Sequence, residues 1–105
     1  DGRVQDCLFT GWDTGLLVTG DDWCDPVGCW FEDNNTGFCF DSAGDYANYT
    51  RFECNTFRSN GTAVLLQQVP TDRTIDFIGS RFTGNDVNID NPCGHPVDIS
   101  YATFE

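Results

Sequence analysis

The stretch Phe52-Glu53-Cys54-Asn55-Thr56-Phe57-Arg58-Ser59-Asn60-Gly61-Thr62-Ala63-Val64-Leu65-Leu66-Gln67-Gln68-Val69-Pro70 decides the fold class. Residues 62–69 are rich in β-branched and aliphatic side chains, and the run stops at a proline, which lacks a ladder donor. Asn60-Gly61 lies between that run and residues 52–58, a spacing that predicts a type I′ hairpin. Working outward, the strand signals recur. Gly37-Phe38-Cys39-Phe40-Asp41 puts two Phe on one face and a cysteine on the other. Thr74-Ile75-Asp76-Phe77-Ile78 and Val97-Asp98-Ile99-Ser100-Tyr101-Ala102 alternate with period two. The 11 glycines are spread along the chain in the cadence of short strands joined by tight turns. Only residues 43–52 offer a helical turn or two, and they include Gly44 and Thr50. The prediction is one all-β domain spanning residues 1–105.

Size and charge narrow the function. The 105 residues contain 39% hydrophobic and 14% aromatic side chains, enough for a core but in a chain short enough to want crosslinks. Methionine is absent, which predicts a processed product rather than a chain starting at its initiator. No apolar run approaches the roughly 20 residues that a membrane-spanning helix needs. Seventeen acids against five Arg leave a net charge of -12. Nucleic acid and anionic membranes are therefore excluded as partners by charge.

Six cysteines, Cys7, Cys24, Cys29, Cys39, Cys54 and Cys93, form an even set in a short chain, and predict three disulfides made in an oxidising compartment. A metal site would want closer Cys-x-x-Cys or Cys/His pairs, and His95 is the only histidine. Three Asn-x-Thr triplets begin at Asn34, Asn48 and Asn60. They predict glycosylation on a secretory route, which requires those side chains to be exposed. The expectation is a secreted, extracellular monomer.

An internal echo adds a resemblance. Phe9-Thr10-Gly11-Trp12-Asp13 is matched by Phe82-Thr83-Gly84-Asn85-Asp86. With Phe77, the second copy reads aromatic-x4-aromatic-x-Gly, which resembles the hairpin signature of the βγ-crystallin Greek key. There the Gly takes a positive φ while the aromatics pack across the hairpin. Gly28-Cys29-Trp30-Phe31-Glu32, then Gly37, then Gly44-Asp45-Tyr46, follow the order of elements in one such key. Phe57-x-Ser59 departs from it, with Ser in place of Gly. The resemblance implies a small, disulfide-stapled Greek-key sandwich. It extends to small six-cysteine apoplastic effectors of plant-pathogenic fungi and to related microbial killer toxins.

Candidate sites follow from side-chain chemistry. Trp12 and Trp23 each adjoin Asp in Gly-rich stretches, so Trp12, Asp13, Asp21, Asp22 and Trp23 are the expected binding residues. An aromatic platform with nearby carboxylates suits a carbohydrate or a protein interface. Trp30, between Cys29 and Phe31, is assigned to the core. Asp86, Asn88 and Asp90 place oxygen side chains at alternate positions and are the candidate calcium ligands, although Asn91 and Val97 fail the sixth and twelfth positions of an EF-hand loop. No other cofactor is implied. His95 lacks a partner of nucleophilic type, and no Gly-x-Ser-x-Gly elbow occurs, so no catalytic residue and no enzyme activity are expected. The function expected is binding to an extracellular host protein or glycan, in the manner of an effector. The alternatives are a calcium- or carbohydrate-binding module and an antimicrobial toxin.

Overall fold

Period-two alternation specifies which side chains face inward but not the direction of the neighbouring strand. In the computed structural model, which describes residues 2–20, 24–43, 51–70 and 73–105, every strand pair is parallel. The strands are β1 (Gly2–Gln5), β2 (Leu8–Thr10), β3 (Thr14–Gly20), β4 (Cys24–Val27), β5 (Trp30–Glu32), β6 (Thr36–Ser42) and β7 (Thr56–Arg58). They continue with β8 (Thr62–Gln68), β9 (Ile75–Asp76), β10 (Arg81–Thr83), β11 (Val87–Asp90), β12 (Val97–Asp98) and β13 (Thr103–Phe104). Successive coils stack into a parallel β-solenoid with three faces. The first face holds β1 with β4 and β9 with β12, and Arg51 makes a single parallel bridge to Asp76 on β9. The second holds β13-β10-β7-β5-β2 in that order, and the third β11-β8-β6-β3.

Stacking places like on like. Phe9, Phe31, Phe57, Phe82 and Phe104 are register partners separated by 22, 26, 25 and 22 residues. Their rings stack with centroids 5.0, 4.9, 4.8 and 4.8 Å apart and within 13° of parallel. That separation is the strand spacing of about 4.8 Å, so one geometry satisfies both the backbone ladder and the rings. Phe38, Phe40, Phe52 and Phe77 fill the remaining interior and cross the ladder at steeper angles, as in the edge-on Phe38–Phe52 pair at 5.2 Å.

Corners are built by two devices. Each turn between the first and second faces has a left-handed residue: Asp6 (φ 54°), Gly28 (64°), Cys54 (59°) and Gly79 (70°). Between the second and third faces the series is Gly11 (76°), Asp33 (58°), Ser59 (56°) and Gly84 (66°). The residue after each of these turns is Trp12, Asn34, Asn60 or Asn85. Asn34, Asn60 and Asn85 form a ladder. Their Oδ1 atoms accept from the N–H of Trp12, Asn34 and Asn60 at 2.9, 3.1 and 2.9 Å. Their Nδ2 groups donate to the carbonyls of Phe9, Phe31 and Phe57 at 3.0, 2.9 and 3.0 Å. At the other corner, Cys29, Asn55 and Ser80 donate to the carbonyls of Val4, Pro26 and Phe52. Buried backbone groups that a turn would orphan are thus satisfied coil by coil.

Several expectations are corrected by this arrangement. Asn60-Gly61 turns a corner rather than a hairpin: β8 pairs with β6 and β11, and β7 with β5 and β10. A Greek-key sandwich requires antiparallel neighbours, so that architecture and the βγ-crystallin resemblance both fail. The positive φ at Gly11 and Gly84 is real, but it serves a solenoid corner. The strand expected over 97–102 is confined to β12, because Ser100 and Tyr101 turn the chain into β13. All six cysteines are free: Cys29 and Cys39 are buried, Cys24 is half-buried, and Cys7, Cys54 and Cys93 are exposed. The disulfide staple is replaced as a source of order by the phenylalanine stack and the side-chain ladders.

Candidate ligand-binding face

The second face follows from its own core. Because Phe9, Phe31, Phe57 and Phe82 point inward, their neighbours on either side must point out. One outward column is Leu8, Trp30, Thr56, Arg81 and Thr103. The other begins Thr10, Glu32, Arg58 and Thr83. Glu105, just beyond β13, continues it. Leu8 is 64% exposed and Trp30 42%, so two stacked apolar groups lie open on the surface. Thr and paired charges fill the remainder.

Hydrogen bonds hold these polar groups in place. Trp30 Nε1 donates to Glu32 Oε1 at 3.1 Å, tethering the indole beside its own strand. Arg58 Nη1 lies 3.9 Å from the same Glu32 oxygen. Arg81 donates to Glu105 Oε1 at 2.9 Å, and Thr83 Oγ1 donates to Oε2 at 3.1 Å. These hydrogen bonds from Arg81 and Thr83 hold the Glu105 carboxyl below its ordinary value. The face thus has one planar aromatic, a row of hydroxyls, and carboxylate–guanidinium pairs whose charges offset each other.

Trp12 and Asp13 sit at the corner between the second and third faces. Trp12 is 63% exposed, so it is a surface residue, and Asp13 accepts from Asn35 Nδ2 at 2.7 Å. Asp21, Asp22 and Trp23 lie outside the described residues. Trp30, expected in the core, instead faces solvent. The signal for that was the inward Phe31 beside it, read with a period of two.

The candidate calcium ligands lie on and just before the edge strand β11. Asn88 and Asp90 lie on β11 and Asp86 just before it, and Asn88 Oδ1 accepts from Asn85 Nδ2 at 3.3 Å. Ile89 packs against the core, whereas Val87 is 44% exposed. Among the described residues no three His, Cys, Asp or Glu side chains converge to hold a metal. His95 is part of a turn in which its N–H donates to Asn91 Oδ1 and its carbonyl accepts from Asn91 Nδ2. The exposure expected of the glycosylation triplets fails at two of them. Asn34 and Asn60 are 3% and 2% exposed, and their Nδ2 groups, where a sugar would be attached, are committed to the ladder. Asn48 lies outside the described residues.

No protein-family model, curated protein or solved structure matches the chain.

Proposed function

We propose that this chain is a non-enzymatic binding protein acting outside the cell, with an extended, uncharged glycan as its ligand. The observation that carries this reading is Trp30, exposed on the second face beside Leu8 and tethered through Nε1 to Glu32. A pyranose ring has an apolar face that packs on an indole and a rim of hydroxyls that seek donors and acceptors. Thr10, Thr56, Thr83, Glu32 and Arg58 supply both kinds of partner around that indole. Four strand intervals make the face about 19 Å long, the reach of a short oligosaccharide. A net charge of -12 disfavours anionic polymers, and the paired Arg side chains have carboxylates of their own. Neutral polysaccharides of cell walls and matrices are ligands of this kind outside the cell.

The effector and killer-toxin expectations drew on the crystallin resemblance as well as on size, cysteine number and the glycosylation triplets, and the parallel pairing removes the first of these supports. The glycan alternative gains from the same change, because a solenoid presents a long regular face.

Retention on insoluble neutral polysaccharides tests the proposal, comparing the native chain with Trp30→Ala. Loss of an aromatic anchor costs about 2 kcal/mol or more in binding, which is roughly a thirtyfold weakening. Trp30→Ala is expected to abolish retention while leaving the melting midpoint close to that of the native chain. Equal retention of both proteins, or no retention of either on any neutral polysaccharide, sinks the assignment.

A further inference from the structure

The ladders bring two of the six thiols together. Cys7 and Cys29 occupy the same position on neighbouring coils. The Cys7 carbonyl accepts from Trp30 N–H at 2.8 Å. Val4 and Pro26, three residues earlier, are register partners, as are Phe9 and Phe31, two residues later. Partners on adjacent strands lie about 4.8 Å apart, inside the window of roughly 4.4–6.8 Å between Cα atoms that a disulfide requires. The Cys29 sulfur also reaches back to the first coil. It donates to the Val4 carbonyl at 3.3 Å.

No other thiol holds the matching position on a neighbouring coil, although Cys24 lies near enough to Cys29 for the two sulfurs to interact electrostatically. Cys24 is paired in register with Gly2, and Cys39 lies between Leu17 and Leu65. The Cys54 sulfur faces Gly79, and Cys93 donates to Asn91.

We propose that Cys7 and Cys29 form a disulfide between the first and second coils on meeting a small disulfide oxidant such as oxidised glutathione. Cys7 is exposed and acts first. Its thiolate attacks the oxidant, giving a mixed disulfide and releasing one glutathione thiolate. Cys29 is buried, and burial pushes its thiol up, so it is the resolving partner. It gives its proton to the released thiolate or to solvent and attacks the Cys7 sulfur. A second glutathione thiolate then leaves. Two protein thiols are oxidised and one glutathione disulfide is reduced to two thiols. The new bond lies immediately before Leu8 and Trp30, so it clamps together the two strands that carry the exposed apolar pair.

The test does not depend on the ligand. Reduced protein is incubated with oxidised glutathione, alkylated, and cleaved on the N-terminal side of Asp. That cleavage puts Cys7 in residues 6–12, Cys24 in residues 22–24 and Cys29 in residues 25–32. The expected product joins 6–12 to 25–32 with the loss of two thiols. It is absent from Cys7→Ser, which folds with an unchanged midpoint when reduced. Oxidation is also expected to raise the midpoint of the native chain by several degrees. Recovery of both Cys7 and Cys29 as alkylated thiols, or of Cys29 joined to Cys24, overturns the proposal.

Discussion

Replacing Asn60 by Ala isolates the part played by the side-chain ladder. Asn60 is 2% exposed and sits in the middle of the solenoid, between the coils of Asn34 and Asn85. Its Oδ1 accepts from the Asn34 N–H at 3.1 Å and its Nδ2 donates to the Phe31 carbonyl at 2.9 Å. Both backbone groups belong to buried residues with relative exposures of 3% and 0%. The Asn60 N–H keeps its own bond to Asn85 Oδ1, and Asn34 Nδ2 keeps its bond to the Phe9 carbonyl. The Asn34 N–H is therefore orphaned, whereas the Phe31 carbonyl, inside β5, keeps its place in the ladder with β7. An unsatisfied buried group costs about 1–3 kcal/mol, so the substitution costs about 1–3 kcal/mol. A domain of this length holds about 5–15 kcal/mol in all.

The assay is urea denaturation of reduced protein, followed by far-ultraviolet circular dichroism and by tryptophan fluorescence. Asn35→Ala is the control: Asn35 is the next residue along from Asn34, but it is exposed, its side chain donates to exposed Asp13, and its backbone bonds to Trp12 and Thr62 survive the change. Surface changes of that kind fall within about 0.5 kcal/mol of neutral. If Asn60→Ala loses no more than Asn35→Ala, the ladder carries no stability and the account of the corner is wrong.

Three further outcomes are expected. In Gly37→Ala, the new Cβ would lie 2.6 Å from the Ala63 carbonyl oxygen and 3.3 Å from Phe31 Cβ, so overpacking costs about 1–3 kcal/mol. Gly2→Ala, with nothing within 4 Å, stays near neutral in the same urea titration. Phe57→Ala removes a ring stacked on both sides and costs about 3–5 kcal/mol, whereas Phe104→Ala, at the end of the stack and 40% exposed, costs clearly less. The carboxyls of Glu105 and Asp98 are held low, the first by Arg81 and Thr83 and the second by Ser100. A depressed carboxyl stabilises above its unfolded value and loses that contribution as pH falls, so stability declines as acid passes below the ordinary values of 4.5 and 3.8. Glu105→Gln flattens the upper part of that decline, read from urea midpoints between neutral pH and pH 3.

The strands were legible because alternation is local. Residues 62–69 matched β8 almost residue for residue, and Gly37 to Asp41 fell inside β6. Direction was not legible, since inward and outward faces look the same in parallel and antiparallel sheets. A repeat would have supplied direction, and half of one was visible in the echo between residues 9–13 and 82–86. The intervening copies are Phe31-Glu32-Asp33-Asn34-Asn35 and Phe57-Arg58-Ser59-Asn60-Gly61. They escape a pattern keyed on Gly because Asp33 and Ser59 adopt the left-handed conformation that Gly11 and Gly84 adopt. The spacings of 22, 26, 25 and 22 residues further hide the period, since corners absorb insertions that strands cannot.

Asn60 shows why the site was harder to read than the strands. One residue supported two local readings, a type I′ turn with Gly61 and a glycosylation triplet with Thr62. Each asks only about its immediate neighbours. The structure gives it a role defined by residues 26 and 25 positions away, Asn34 and Asn85. Trp30 fails in the converse way. Its neighbours Cys29 and Phe31 made it look buried, yet its position is set by Leu8 in the previous coil and Thr56 in the next, which place all three on the outside. In a solenoid the side chains that touch are one coil apart in sequence. A surface that binds a ligand is therefore a column drawn across coils, and a search along the chain meets its members singly, as an isolated Leu, Trp and Thr.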